Sequence, residues 1–253
     1  MSLPLSFYDQ PFAHRALHNV ADGRPENSRA AIRAAIAAGY GIEIDVQLSA
    51  DGAAMVFHDY ALERLTSAKG AVRLCSADEL SGVQLTGGDE GIPTLPEVLE
   101  LIAGRVPLVI EIKDQDGGMG PNIGRLEDAT ALALQEYQGD VGVMSFNPYA
   151  VARMAELMPE VPRGLVTSAY RYDDWPLPKK TCDRLRDIPD YDRVGASFIS
   201  HEVDDLDRAR VTELKTAGAM ICCWTVRNQA QEAVARRIAD NITFEGYRAA
   251  LTA

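Results

Sequence analysis

Glu43 and Asp45 stand two residues apart in an otherwise apolar run, Gly41-Ile42-Glu43-Ile44-Asp45-Val46. Glu111 and Lys113 repeat that spacing in Val109-Ile110-Glu111-Ile112-Lys113. Side chains alternate faces along a strand, so Ile42, Ile44 and Val46 share one face while Glu43, Asp45 and Gln47 share the other. Val109, Glu111 and Lys113 likewise oppose Ile110 and Ile112. The apolar faces must meet covering elements, which turns the carboxylates inward, where burial without a partner is prohibitive. A divalent cation answers that need. Two carboxylates on one strand and a third from a neighbour are the hard oxygen ligands that Mg²⁺ or Ca²⁺ prefers, with water or substrate completing the shell. Glu43, Asp45 and Glu111 are therefore the candidate metal ligands. The competing reading is a structural ion-pair layer in which Arg15 and Lys113 neutralise the acids.

Of four histidines, two end short apolar runs: His14 in Phe12-Ala13-His14-Arg15, and His58 in Met55-Val56-Phe57-His58-Asp59. Imidazoles beside a carboxylate cluster can act as acid and base near neutral pH, or as metal ligands. His18 and His201 lack such company and read as loop residues.

The elements that must position these groups follow from periodicity. Short β-type runs at 12–15, 41–48, 54–58, 107–113, 141–146, 163–167, 196–200, 220–226 and 241–244 alternate with helical stretches at 27–38, 95–103, 124–137, 148–158, 207–217 and 229–238. That alternation is the pattern of repeated βα units around a parallel sheet. Asn27 reads as a polar N-cap, and Gly39 and Gly218 as helix stops. Nine runs are one more than an eight-stranded barrel needs, so one is accessory. Two long connections, after residue 58 and at 168–192, belong on the rim where a barrel builds its site. No break in composition divides the chain, which reads as a single domain over 1–253.

Composition narrows the partners. The chain has 253 residues, 47% of them hydrophobic, and a formal charge of −12. That is enough to bury a large core. The charge and the absence of any Lys/Arg run argue against nucleic acid and against an anionic membrane surface. An anionic substrate would have to be held by positive charge supplied locally. Residues 1–12 lack a basic leader and apolar core, and no apolar run approaches the roughly twenty residues of a membrane span. The expectation is a soluble, cytoplasmic protein without a membrane anchor. Adjacent Cys222 and Cys223 point to opposite faces of a strand, and all four cysteines read as reduced.

The ordered series His14-Arg15, Pro25-Glu26-Asn27-Ser28, Glu43-Ile44-Asp45-Val46, His58-Asp59, Leu62-Glu63-Arg64, Ile92-Pro93-Thr94-Leu95 and Glu111-Ile112-Lys113, followed by Ser145-Phe146 and Trp224-Thr225-Val226, resembles the glycerophosphodiester phosphodiesterase family. The resemblance spans almost the whole chain and implies a (β/α)8 TIM barrel of the phospholipase C-like kind. A short segment, 60–91, would be inserted after the third strand. It implies a divalent metal, Mg²⁺ or Ca²⁺, on Glu43, Asp45 and Glu111, with His14 and His58 as the acid–base pair. Arg15 and Lys113 would hold phosphoryl oxygens, and Phe146 and Trp224 would form an apolar wall. The implied substrate is a small glycerophosphodiester, whose glycerol hydroxyl attacks phosphorus to leave a cyclic phosphate that water opens. Ala16 departs from the glycine usual in the family and Ser28 from its threonine. Ile242-Thr243-Phe244-Glu245 departs from a segment that usually reads Ile-Thr-Asp. A related lipid phosphodiesterase, acting on lysophospholipid or sphingomyelin head groups, would need an apolar approach surface, for which Tyr170, Tyr172 and Trp175 are the candidates. A phosphate-ligand binding protein without activity would not need two histidines.

Overall fold

A computed structural model describes residues 3–251 of the chain. Its strands are β1 (Phe12–Ala13), β2 (Gly41–Leu48), β3 (Ala54–Val56), β4 (Leu108–Ile112), β5 (Val141–Ser145), β6 (Arg163–Thr167), β7 (Phe198–Glu202), β8 (Met220–Val226) and β9 (Asn241–Phe244). Eight of them are parallel neighbours in the order β1, β2, β4, β5, β6, β7, β8, β9, and β9 pairs again with β1. The sheet is therefore closed, a (β/α)8 barrel.

The accessory strand is β3, which runs antiparallel to β2 with Val56 opposite Val46 and Ala54 opposite Leu48. The run 54–58 reads in sequence as a barrel strand pointing its end at the catalytic rim. Instead β2 continues past the rim, turns, and β3 descends, so His58 arrives at the level of Asp45 from above: the amide of Phe57 donates to Asp45 O at 3.0 Å.

Alternation along the strands sorts two cores. Ile42, Ile44, Ile110, Ile112, Val143, Leu165, Ile199, Ile221, Cys223, Ile242 and Phe244 face the surrounding helices. Phe12, Val109, Met144, Val166, Phe198, Met220 and Cys222 fill the barrel, closed from below by Phe7. Gly164 is required there, since a Cβ would lie 2.3 Å from the Phe198 ring. The polar inward residues are thus stacked above an apolar floor, at the C-terminal ends of the strands.

Several helices begin at identifiable caps. Ser28 accepts from the amide of Ala31 and starts helix Arg29–Ala38, which stops at Gly39 with φ +76°. Asn27 is not the cap; it turns inward and is buried. Thr94 and Glu97 form a reciprocal capping box before Leu95–Ile102, and Asn147 caps Pro148–Leu157. The helix Lys179–Arg186 lies within the stretch read as irregular. Residues 60–91 carry a small apolar cluster of their own, in which Leu62, Val72, Leu80 and Leu85 pack on Met55, Phe57 and Ile92. No helix among the described residues is long and apolar enough to cross a membrane, and all four cysteines are free.

Candidate active site

Pairing of β2 with β4 sets Asp45 directly beside Glu111, with Glu43 one inward position below. All three carboxylates are buried, and one oxygen from each lies within 4.8 Å of the others. Lys113 Nζ spans two of them, 2.7 Å from Asp45 Oδ1 and 2.6 Å from Glu111 Oε1. Arg15 reaches the same group from β1: its amide donates to Glu43 Oε2 at 2.8 Å, its Nη1 to Glu26 at 2.7 Å, and its Nε lies 3.7 Å from Asp45.

Charge is unevenly balanced across this cluster. Burial opposes ionisation of Asp45, but Lys113, His58 and Arg15 outweigh it and hold the carboxyl far below its usual range. Burial and the neighbouring Asp45 and Glu111 push Glu43 well above its ordinary value. Glu43 is thus the acid that the cations present do not satisfy. A hard divalent cation fits this donor set: three oxygen ligands held on adjacent rigid strands, each carboxylate with lone pairs beyond those Lys113 uses.

Two histidines flank the cluster, and both are anchored through Nδ1. His14 follows β1 and places Nδ1 2.7 Å from Glu245 Oε2. Burial pushes its pKa below the ordinary value, outweighing the carboxylate. His58 Nδ1 lies 2.7 Å from Asp59 Oδ1, and Asp59 is gripped by Arg64 through Nε at 2.6 Å and Nη2 at 2.7 Å. Arg64 also binds Glu26, joining the His58 and Arg15 supports into one network.

A cavity of about 150 Å³ opens at the centre, lined by His14, Arg15, Glu43, His58, Glu111 and Lys113 on one side and by Phe146 and Trp224 on the other. The two rings meet edge to face at 5.5 Å, and Trp224 Nε1 donates to Ser200 O at 3.0 Å. The proposed acid–base, phosphoryl-binding and apolar-wall residues thus line one pocket together with Glu43 and Glu111, and Asp45 lies against it through Lys113. Tyr170 and Trp175 pack behind Phe146. Tyr170 is buried there while Tyr172 bonds Asp183 at the surface, so the three do not make the apolar approach surface considered above.

Sequence reading missed Asn27, Glu245 and Arg227. Asn27 donates to Asp45 Oδ2 at 2.9 Å. Glu245 also meets Arg227 at 2.8 Å and His18 at 3.7 Å. The signal for Glu245 was available, since Asn241, Thr243 and Glu245 share the inward parity. His201, read as a loop residue, is instead fully buried at the end of β7, between Thr167 and Asp205.

Comparison with known proteins gives a consistent picture. The profile of the glycerophosphoryl diester phosphodiesterase family matches residues 14–242. The chain is 35% identical over 163 residues to a glycerophosphodiester phosphodiesterase of Caldanaerobacter subterraneus subsp. tengcongensis, covering 60% of this chain and 65% of that one. It is 26% identical over 208 residues to a glycerophosphodiester phosphodiesterase of Bacillus subtilis, covering 75% and 67%. Among solved structures, an Oleispira antarctica phosphodiesterase in complex with the product sn-glycerol-3-phosphate superposes with a TM-score of 0.77 at 25% identity, over 95% of this chain and 94% of that one.

Proposed function

The chain belongs to the glycerophosphoryl diester phosphodiesterase family, and from that premise we propose that it cleaves glycerophosphodiesters to glycerol 3-phosphate and an alcohol, using a divalent metal and the His14/His58 pair. The observation that carries this reading is the meeting, in one cavity, of two anchored histidines, three buried carboxylates and two cations. The product held by the Oleispira antarctica phosphodiesterase supports the choice of glycerol 3-phosphate as the phosphorylated half.

Glu43, Asp45 and Glu111 would hold Mg²⁺ or Ca²⁺, which supplies charge neutralisation for the phosphoryl group and its developing negative charge. Arg15 and Lys113 bring the remaining positive charge. Arg15 Nε is buried without a hydrogen-bond partner, a donor available to a phosphoryl oxygen. In the first half-reaction a free glycerol hydroxyl attacks phosphorus, one histidine takes its proton, and the other gives a proton to the departing alkoxide. The product is a cyclic phosphate and the free alcohol. Water then attacks with the two histidines exchanging roles, opening the ring to glycerol 3-phosphate. Phe146 and Trp224 form the apolar wall against which the carbon skeleton rests.

The test is direct. Purified protein should release glycerol 3-phosphate from several glycerophosphodiesters with added Mg²⁺ or Ca²⁺ and stop when a chelator removes them. Absence of glycerol 3-phosphate release from every such diester with either ion present would overturn the assignment.

A further inference from the structure

We propose that Glu245 is the positioning residue of His14, fixing which ring nitrogen faces the substrate. The proposal rests on the reading of His14 as one member of the acid–base pair.

Glu245 follows β9 at the inward parity shared with Asn241 and Thr243, while Phe244 points outward into the helix layer. Its Oε2 lies 2.7 Å from His14 Nδ1, and among the described residues no other side chain hydrogen-bonds to His14. The carboxylate is itself held: Arg227 Nη2 meets Oε1 at 2.8 Å, and His18 Nε2 approaches Oε2 at 3.7 Å. The main chain at this point is also pinned, since the amide of Glu245 donates to Val226 O and that of His14 to Phe244 O.

An ionised carboxylate only accepts, so Nδ1 must carry the proton. The neutral ring then keeps Nε2 bare, able to take a proton, and the imidazolium formed faces a fixed negative charge. The same geometry serves the reverse step, in which Nε2 returns the proton. Without the carboxylate the ring is free to adopt the other tautomer or to rotate, and only part of the population stays competent.

The second histidine is built alike. His58 Nδ1 is 2.7 Å from Asp59, and Asp59 is locked by Arg64 as Glu245 is by Arg227. The difference lies in the chain: Asp59 adjoins its histidine, whereas Glu245 comes from 231 residues away. Closure of the barrel between β9 and β1 brings Glu245 to its histidine.

Glu245→Gln keeps the size of the side chain and removes its charge. The expected result with full-length protein and a glycerophosphodiester is a kcat lowered on the order of 10²-fold, with KM and the thermal midpoint little changed. Glu245→Asp should recover part of the loss. His14→Ala and His14→Ala/Glu245→Gln should be equally slow, because a residue acting through His14 has nothing left to orient. Nitrogen NMR of the His14 ring gives a readout independent of turnover: Nδ1 should be protonated in the parent and become a tautomer mixture in Glu245→Gln. An inactive His14→Ala beside a fully active Glu245→Gln, or a double variant slowed by the product of both effects, would overturn the proposal. An active His14→Ala would overturn the reading beneath it.

Discussion

Asn27 donates through Nδ2 to Asp45 Oδ2 at 2.9 Å, and its Oδ1 receives the amide of Asp45 at 3.3 Å. The backbone of Asn27 sits at φ +58°, a left-handed conformation that Asn tolerates better than most residues. Both features together make Asn27 a support for one candidate metal ligand. Asn27→Ala should weaken divalent-metal binding by roughly 10- to 100-fold and turnover with it, the usual cost of removing a partner that orients a ligand. Calorimetric titration with Ca²⁺ or Mg²⁺ measures this; unchanged affinity would mean that the β2 backbone alone fixes Asp45.

Lys113 offers a prediction of opposite signs. Its ammonium lies within 2.7 Å of two candidate ligands, and Asp45 and Glu111 outweigh the effect of burial and push its pKa above the ordinary value, so it stays charged. Lys113→Met removes a charge that repels the metal but attracts the phosphodiester. Metal affinity should rise while kcat/KM falls, whereas Glu111→Gln should lower both. Loss of metal affinity in a folded Lys113→Met variant would show that the lysine organises the carboxylates and does not merely balance them.

Much of this site was legible because period two is a strong signal when a strand is apolar on one face. Glu43, Asp45, Glu111 and Lys113 stood out against isoleucines, and their common direction followed at once. Asn27 did not, because a polar residue before an Ala-rich helix looks like a cap, and the cap is Ser28 one step later. Strand direction is likewise invisible to periodicity, so β3 read as part of the barrel. Glu245 had the right parity, but it lies past the last strand, where parity alone does not separate a site residue from a surface one. The helix Lys179–Arg186 buries only Cys182 and Leu185, too thin an apolar stripe to register.

Trp224 tests the apolar wall. It contacts Phe146 at 5.5 Å and keeps a hydrogen bond to Ser200 O, with its ring only partly buried at the cavity. Trp224→Ala should raise KM about tenfold for a glycerophosphodiester while kcat changes less, as for lost uniform binding. A fall in thermal midpoint with KM unaltered would assign the ring to packing alone.

His201 sets a pH dependence of stability away from the cavity. Burial lowers its pKa from 6.5, outweighing the hydrogen bond to Asp205. A lowered histidine means that the unfolded chain binds the proton more readily, so this contribution is complete above about 6.5 and is lost as pH falls from there toward the folded value. His14, also lowered by burial, adds in the same direction. The thermal midpoint should drop between pH 7.5 and 5.5, and His201→Gln should flatten part of that drop while lowering the midpoint at pH 7.5. A parent midpoint independent of pH across that interval would refute the assignment.

The proposed acid–base pair gives the most demanding prediction, because its two histidines are held by different partners, Glu245 and Asp59. Burial keeps His14 below its ordinary pKa of 6.5, so at neutral pH it is uncharged and ready to accept. We assign it as the base toward the attacking hydroxyl, leaving His58, backed by Asp59 and Arg64, to protonate the leaving alkoxide. Activity should rise with pH as His14 loses its proton, the rising limb of the bell-shaped profile expected of a general acid–base pair. Each His→Ala change should lower kcat by roughly two to four orders of magnitude with metal binding largely retained. The asymmetry appears with a substrate whose leaving group is strongly activated, since such a group departs without protonation. It should restore much of the lost rate to His58→Ala and none to His14→Ala. Rescue of His14→Ala alone would reverse the assignment, and near-normal turnover of an ordinary glycerophosphodiester by both variants would rule out a two-histidine mechanism.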